Sequence, residues 1–179
     1  VGLDPRPELF PVELRSEPPA EASARFCRGI IDAVAAYVVG VKPQLAFFEA
    51  LGAPGIAAFE EVCDYARAAG LVVLADGKRG DIGSTARAYA AAYLKARAEG
   101  AEQVADALTV NPYLGFDALV PFLNVKDKGV IVLCRTSNPG ARDVQDLDCQ
   151  GRKLYEIIAE KAAREWNANG NVLLVVGAT

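Results

Sequence analysis

Six short runs of apolar, often β-branched residues recur along the chain and predict β-strands. Alanine-rich stretches with helical spacing of their apolar residues lie between them. The predicted strands are Val1–Leu3, Tyr37–Val41, Leu71–Ala75, Ala107–Val110, Gly129–Leu133 and Val172–Val176, and the predicted helices are Glu21–Ala36, Gly55–Ala69, Ser84–Glu99, Phe116–Leu123 and Arg152–Asn167. Strands and helices alternate without a break, which is typical of parallel βα units in an α/β protein.

The spacing of the strands narrows the fold class. The first four strands begin at residues 1, 37, 71 and 107. Such regular intervals favour a (β/α)8 TIM barrel over a doubly wound sheet. A whole barrel has about 250 residues and eight strands, whereas this chain has 179 residues and six predicted strands. We therefore expect residues 1–179 to be one incomplete TIM-barrel domain with about six βα units. We expect its last two units to be missing, together with a segment before Val1.

The composition is that of a globular domain and argues against several classes of partner. Hydrophobic residues make up 52% of the chain, and the net charge is −4. Lys and Arg are scattered rather than grouped, so neither nucleic acid nor an acidic membrane surface is expected as a partner. No apolar stretch approaches the roughly 20 residues that span a bilayer.

The residue types also limit the chemistry. The chain has no histidine, which excludes the Ser-His-Asp triad, the Cys-His pair and the usual zinc ligands. Its four cysteines lack metal-binding spacing and are expected to be reduced thiols of a cytoplasmic protein. Acid–base chemistry is therefore left to Asp, Glu, Lys, Tyr or Cys.

The segment LVVLADGKRGDI at residues 71–82 places Asp76, Lys78 and Asp81, with Arg79 between them, at the end of a predicted strand. Alternation of side chains along a strand predicts Asp76 and Lys78 on the same face. Burying an ammonium and a carboxylate costs free energy unless they pair closely, and active sites often contain such groups. The alternative is a structural ion pair beside the next helix, with Asp81 near that helix's N-terminus.

Polar or ionisable residues also follow most of the other predicted strands. They are Asp4, Lys42, Asn111 and the segment Arg135–Ser137. In a TIM barrel the carboxyl ends of the strands carry the active site. We therefore expect these residues and the 76–81 segment to share one site.

These residues lie in stretches that resemble the orotidine 5′-phosphate decarboxylase family, specifically its longer-looped bacterial group. The matching stretches are VGLDP (1–5), VKPQLAFFE (41–49), ADGKRGDIGSTA (75–86), TVNPYLG (109–115) and CRTSNPG (134–140). The D-x-K-x-x-D pattern is shared with sugar-phosphate relatives. The VKPQLAFFE and SNPG segments narrow the resemblance to the decarboxylase.

The resemblance implies decarboxylation of orotidine 5′-phosphate to UMP in pyrimidine biosynthesis, without cofactor or metal. It implies a catalytic network of Lys42, Asp76, Lys78 and Asp81. In that network Lys42 orients Asp76, Asp76 crowds the departing carboxylate, and Lys78 donates the proton to C6. Fixed charges of this kind need not reorganise during the reaction.

Substrate-binding roles are implied as well. Asp4 and Lys42 would hold the ribose hydroxyls, and Ser137 would bond the pyrimidine edge. Asn111 is a further candidate, with a turn-forming role before Pro112 as the equal alternative. The residues that grip the phosphate in this family follow later strands, and we expect them beyond Thr179.

The resemblance also implies a homodimer. Asp81, Ile82 and Thr85 would reach the substrate bound by the neighbouring subunit. For Asp81 the alternative is a purely structural acid at a helix N-terminus, where the helix dipole favours negative charge.

Three other functions stay open at this point. One is a magnesium-dependent sugar-phosphate decarboxylase or synthase of the same superfamily. Such an enzyme normally has a carboxylate on the second strand, where this chain has Lys42. The others are an aldolase that uses a barrel lysine as Schiff-base nucleophile, and a nucleotide-binding fragment without turnover.

Overall fold

The structure is a computed structural model that describes residues 1–96 and 103–177. These residues divide into two compact units. The first comprises the described residues of Val1–Gly77 and Ala96–Asp106, and the second those of Lys78–Lys95 and Ala107–Thr179. The expectation of a single domain stays a prediction, and each unit is described by itself.

The first unit is built from parallel strands and the helices that follow them. In chain order its elements are β1 (Gly2–Leu3), α1 (Pro19–Val34), β2 (Gly40–Pro43), α2 (Leu45–Glu49), α3 (Gly52–Ala68) and the larger part of β3 (Val72–Arg79). β1 pairs with β2, and β2 pairs with β3, both in parallel. This order places the carboxyl ends of β1 and β2 at the same edge of the sheet.

Close packing between β2 and β3 depends on a glycine. A Cβ atom added at Gly40 would lie 2.5 Å from the carbonyl oxygen of Val72, which is far inside van der Waals contact. The start of β3 is also fixed by Asp106. The Asp106 carboxylate accepts the Val73 N–H at 2.9 Å, and the Asp106 N–H donates to the Val73 carbonyl at 2.8 Å. These two hydrogen bonds therefore hold the beginning of β3 in place against Asp106.

β1 begins one residue later than predicted, and the other two strands of this unit differ more from their predicted bounds. β2 was predicted at Tyr37–Val41, but it begins at Gly40 and continues to Pro43. Tyr37 instead closes a turn after α1, with its N–H on the Val34 carbonyl, and it is 86% exposed. β3 was predicted to end at Ala75, and it continues through the charged segment to Arg79.

The long first loop has a small hydrophobic core of its own. Two short 3-10 helices, Pro7–Leu9 and Val12–Leu14, interrupt it. Phe10 and Leu14 are buried against Ala22 of α1, and the rings of Phe10 and Phe26 stack with centroids 4.9 Å apart. The loop is therefore packed against α1 and does not behave as a linker.

The second unit contains the end of β3 and the remaining elements. In chain order these are α4 (Gly83–Leu94), β4 (Ala107–Val110), α5 (Phe116–Leu123), β5 (Gly129–Arg135), β6 (Asp148–Cys149), β7 (Arg152–Lys153), α6 (Leu154–Lys161) and β8 (Val172–Val176). β4, β5 and β8 are consecutive parallel strands, while β6 and β7 form a small antiparallel hairpin. All four residues of β4 are buried, as expected for a strand covered on both faces.

The predicted strands at β4 and β8 and the predicted helix α5 are confirmed at their bounds. The hairpin β6–β7 was not predicted, and the helix predicted at Arg152–Asn167 is α6 followed by a π-helical segment, Ala162–Trp166. α4 ends at Leu94, and the last part of its predicted span, residues 97–99, lies outside the described residues. Within the described ranges, no helix has the length and apolar character needed to cross a bilayer.

Candidate functional site

The carboxyl ends of β2 and β3 bring a charged pair together in the first unit. Lys42 Nζ lies 2.7 Å from Asp76 Oδ2, and Gln44 Nε2 donates to the same oxygen at 3.1 Å. Asp76 is only 5% exposed, whereas Lys42 is partly exposed. Two donors on one oxygen restrict the orientation of this buried carboxylate. Hydrogen bonds to a charged group are also stronger than neutral ones, so the restriction is firm.

Local sequence explains how these side chains meet. Lys42 and Gln44 are two positions apart, so they project from the same side of the chain as it leaves β2. Backbone pairing continues one step beyond β2, because Gln44 and Asp76 form a parallel bridge. The pairing therefore carries the donors of residues 42 and 44 to the height of Asp76.

Asp4 follows β1 in the same unit and is exposed. Its negative charge interacts electrostatically with the buried thiol of Cys27 on α1. Burial raises the pKa of Cys27 to about 12, and the negative charge of Asp4 adds to that rise. Asp4 directly follows the last residue of β1, as the sequence predicted, and its role with a ribose stays a prediction.

Lys78 begins the second unit with an unusual backbone. Its φ is +46°, in the left-handed region that non-glycine residues seldom adopt. Its N–H donates to Thr109 Oγ1 of β4 at 2.8 Å, and the next carbonyl, that of Arg79, accepts the Asn111 N–H at 2.8 Å. Because the left-handed residue interrupts the regular pleat, strand alternation no longer decides which way Lys78 points. The expectation that Lys78 and Asp76 share a face stays a prediction.

The end of β3 is also held by aromatic side chains of α4. The guanidinium of Arg79 lies over the rings of Tyr89 and Tyr93, 5.5 Å and 5.7 Å from their centroids. Arg79 also donates to the Tyr93 hydroxyl at 3.2 Å. These contacts occupy Arg79 in a cation–π arrangement that stabilises the β3–α4 connection.

Asp81, Ile82 and Thr85 surround the beginning of α4. Asp81 Oδ1 accepts the Ile82 N–H at 2.7 Å, and the Asp81 side chain is half-buried. Ile82 is 58% exposed and Thr85 is exposed. This position agrees with a helix-terminus acid, and it also leaves an apolar and a hydroxyl side chain open at the surface.

Asn111 has a local structural contact. Its Oδ1 accepts the Tyr113 N–H at 3.0 Å across Pro112, which is the bond of an Asx turn. The turn-forming role that the sequence left open is therefore present. Binding of substrate by Asn111 stays a prediction.

Ser137 lies in the loop after β5 and is exposed. Its backbone rests against Gly177, at the end of β8. A Cβ atom at Gly177 would lie 2.9 Å from Ser137 N and 3.0 Å from Ser137 Cα. The Gly177 N–H donates to the Arg135 carbonyl, so β5 and β8 together place the serine.

Two residues that the structure ties to this chemistry were not predicted from the sequence. Gln44 holds Asp76, and Thr109 holds the backbone of Lys78. Gln44 lies inside the matching VKPQLAFFE stretch, and its spacing from Lys42 was a usable signal. Thr109 is a hydroxyl in an otherwise apolar buried strand, and such a group requires a hydrogen-bond partner.

Within residues 1–96 and 103–177, no group of three or more Asp, Glu or Cys side chains is arranged to hold a metal ion. The expectation of a reaction without metal or cofactor stays a prediction.

The fold and the side chains at the strand ends define the class of protein to which the chain belongs. The chain is a parallel α/β protein with ionisable side chains at the carboxyl ends of its strands. Its residues 1–179 match the model of the orotidine 5′-phosphate decarboxylase / HUMPS family, and the chain belongs to that family.

Individual relatives agree with this membership. The chain is 50% identical to the orotidine 5′-phosphate decarboxylase of Azoarcus sp. and 49% identical to that of Roseiflexus sp., in both cases over its whole length. It spans 63% and 62% of those two proteins. A solved structure of Leishmania donovani OMP decarboxylase is 45% identical, with a TM-score of 0.86, and the match covers 99% of this chain and 64% of that one. The expected TIM-barrel fold class is thereby confirmed.

Proposed function

We propose that the protein carrying this chain decarboxylates orotidine 5′-phosphate to UMP. Relatives with that name are about half identical over the whole of residues 1–179. The observation that carries the proposal is the buried Asp76 carboxylate, which Lys42 and Gln44 hold on one oxygen. A carboxylate fixed before substrate binds is suited to destabilise a second carboxylate that is about to leave.

The proposed reaction breaks one bond and forms one. The bond between C6 and the substrate carboxylate breaks, CO2 leaves, and the electron pair stays on C6. The Lys78 ammonium then donates a proton to C6, and solvent restores that proton to the lysine. Asp76 and Lys78 are two positions apart on β3, so chain connectivity alone keeps their Cα atoms within about 7 Å.

The remaining predicted residues receive supporting roles in the proposal. Asp4 and Lys42 bind the ribose hydroxyls, and Ser137 bonds the pyrimidine edge. Asn111 is retained as a weaker candidate for substrate binding, because its side chain already closes a turn.

We also propose a homodimer in the cytoplasm. Asp81, Ile82 and Thr85 would contact the substrate of the neighbouring subunit. The exposure of Ile82 and Thr85 at the start of α4 supports this assignment. No nucleic acid or membrane partner is proposed.

The central experiment follows the ultraviolet absorbance of orotidine 5′-phosphate with purified protein, with and without EDTA. We expect turnover that EDTA does not change. Lys78→Ala should abolish turnover, because it removes the proton donor. Lys126→Ala is the matched control, since Lys126 is an exposed lysine on a turn. Retention of more than about a tenth of the activity by Lys78→Ala would contradict the assignment.

The same assay separates the alternatives. Activity that EDTA abolishes and Mg²⁺ restores would favour a metal-dependent sugar-phosphate enzyme. Trapping of a carbonyl substrate on Lys78 or Lys42 by borohydride would favour a Schiff-base aldolase. Binding of UMP without any turnover would favour a non-catalytic nucleotide-binding protein.

The homodimer has its own test. The inactive variants Asp81→Asn and Lys78→Ala are mixed under conditions where subunits exchange. Partial activity should return, because each mixed dimer contains one site with neither substitution. Lack of recovery despite demonstrated exchange would contradict a site that is shared between subunits.

A further inference from the structure

The loop between β5 and β6 is closed twice by side chains at its two ends. Arg135 binds Asp146 with two hydrogen bonds, Nε to Oδ1 at 2.7 Å and a terminal nitrogen to Oδ2 at 3.1 Å. One position further in, Gln145 faces Thr136. These two pairs of contacts hold the ends of residues 136–145 together, so this ten-residue segment has a fixed shape.

The contact between Gln145 and Thr136 uses both functions of the amide. Thr136 N–H donates to Gln145 Oε1 at 2.8 Å, and Gln145 Nε2 donates to Thr136 Oγ1 at 2.9 Å. Thr136 Oγ1 in turn donates to Asn138 Oδ1 at 2.7 Å. The side chain of Gln145 therefore orients Thr136 directly and Asn138 through the Thr136 hydroxyl, and these two residues flank Ser137.

Ser137 itself is exposed and has Gly177 against its backbone. A serine between two anchored neighbours keeps its backbone direction, which limits the region of space that its hydroxyl can reach. Such preorganisation favours binding, because less conformational freedom is lost when the ligand arrives.

We propose that Gln145 is a positioning residue that holds Thr136 and Asn138 so that Ser137 reads the pyrimidine edge of the nucleotide. This inference rests on the proposed function, in which Ser137 contacts the pyrimidine. In this proposal Gln145 touches no reacting atom. It acts only through residues 136–145, here called the Ser137 loop.

The main chain at Gln145 is held independently of its side chain. Gln145 N–H donates to the Ala141 carbonyl at 2.8 Å, and the Tyr155 N–H donates to the Gln145 carbonyl at 3.0 Å. Replacing the side chain therefore removes the amide contacts while the path of the backbone stays supported. This makes Gln145→Leu a suitable test variant.

The experiment compares wild type with Gln145→Leu, Ser137→Ala and the double variant. Gln150→Leu is the matched control, because Gln150 is an exposed glutamine on the β6–β7 turn. The readouts are kcat/KM for orotidine 5′-phosphate and the inhibition constants of UMP and ribose 5-phosphate. Ribose 5-phosphate has no pyrimidine, so a loop that serves only the pyrimidine should not affect it.

Gln145→Leu should lower kcat/KM and UMP affinity by about tenfold, the usual effect of losing a hydrogen-bonding group. Ribose 5-phosphate inhibition should stay within about twofold of wild type. The double variant should be no worse than the poorer single variant, because both substitutions disable one unit.

Three outcomes would overturn the inference. Ribose 5-phosphate affinity that falls in parallel with UMP affinity would indicate general loosening of the fold. Effects of Gln145→Leu and Ser137→Ala that multiply would show that the two residues act independently. Wild-type protein that neither turns over orotidine 5′-phosphate nor binds UMP would refute the proposed function, and this inference with it.

Discussion

Gly177 offers a direct test of how closely β8 fixes the Ser137 loop. In Gly177→Ala the new Cβ would lie 2.9 Å from Ser137 N and 3.0 Å from Ser137 Cα. Ordinary contact begins at 3.4 Å, so Ser137 must move by about half an ångström. Both atoms belong to the backbone, and a side-chain rotation cannot relieve the contact. The φ of Gly177 is not in the left-handed region, so backbone strain plays no part.

Two magnitudes follow from this contact. Overpacking of this kind lowers the free energy of unfolding by about 1–3 kcal/mol. A displacement of about 1 Å at a positioned group costs up to about 100-fold in rate, so half of that displacement should lower kcat/KM by about tenfold. The effect on catalysis depends on the proposed role of Ser137, whereas the effect on stability does not.

The assays are decarboxylation of orotidine 5′-phosphate and urea denaturation of the same preparations. Gly29→Ala is the matched control, because Gly29 lies in α1 and a Cβ there meets nothing within 4 Å. It should leave kcat/KM unchanged and stabilise the fold by roughly 0.5–1 kcal/mol, since alanine favours helix. If Gly177→Ala keeps wild-type activity and stability, the loop adapts freely and the argument from close packing is refuted.

Three further changes test other parts of the structure. Asn171→Leu should lower the free energy of unfolding by about 2 kcal/mol in urea denaturation, because the buried amide donates to three backbone carbonyls. Asn169→Ala removes one bond of this kind and should lower the free energy of unfolding by about half as much. Gln44→Leu should lower kcat for orotidine 5′-phosphate by about tenfold with little change in KM, because one of the donors that orient Asp76 is lost, and an unchanged kcat would contradict that role. Wild-type stability should fall as pH rises from about 9 to about 12, because the thiol of Cys27 ionises more readily in the unfolded chain, and Cys27→Ala should reduce the slope of stability against pH.

The sequence predicted elements well where apolar spacing and burial coincide. α5 has its predicted bounds, and its buried residues recur with helical spacing between Gly115 and Asn124. β2 was misplaced because Tyr37 and Val39 read as strand residues, although both are exposed in the structure. β3 was predicted too short, since its last four residues are mostly polar and a search for apolar runs stops before them.

In the candidate site, too, some contacts could be predicted from the sequence and others could not. The pairing of Lys42 with Asp76 joins residues 34 positions apart, and it was foreseen only from the strand-end argument and the family resemblance. The contact of Gln145 with Thr136 was not foreseen. Neutral amide and hydroxyl groups nine positions apart carry no charge or periodic signal. Such contacts depend on the path of a loop, which local sequence does not determine.

The left-handed backbone of Lys78 implies a conflict between durability and chemistry at a single position. A left-handed residue with a Cβ costs about 1 kcal/mol or more relative to glycine in the same conformation. Lys78→Gly should therefore be more resistant to denaturation than Lys78→Ala, although both lack the ammonium group. A selection for thermal resistance alone would favour glycine at this position, and only a selection that requires turnover would keep lysine.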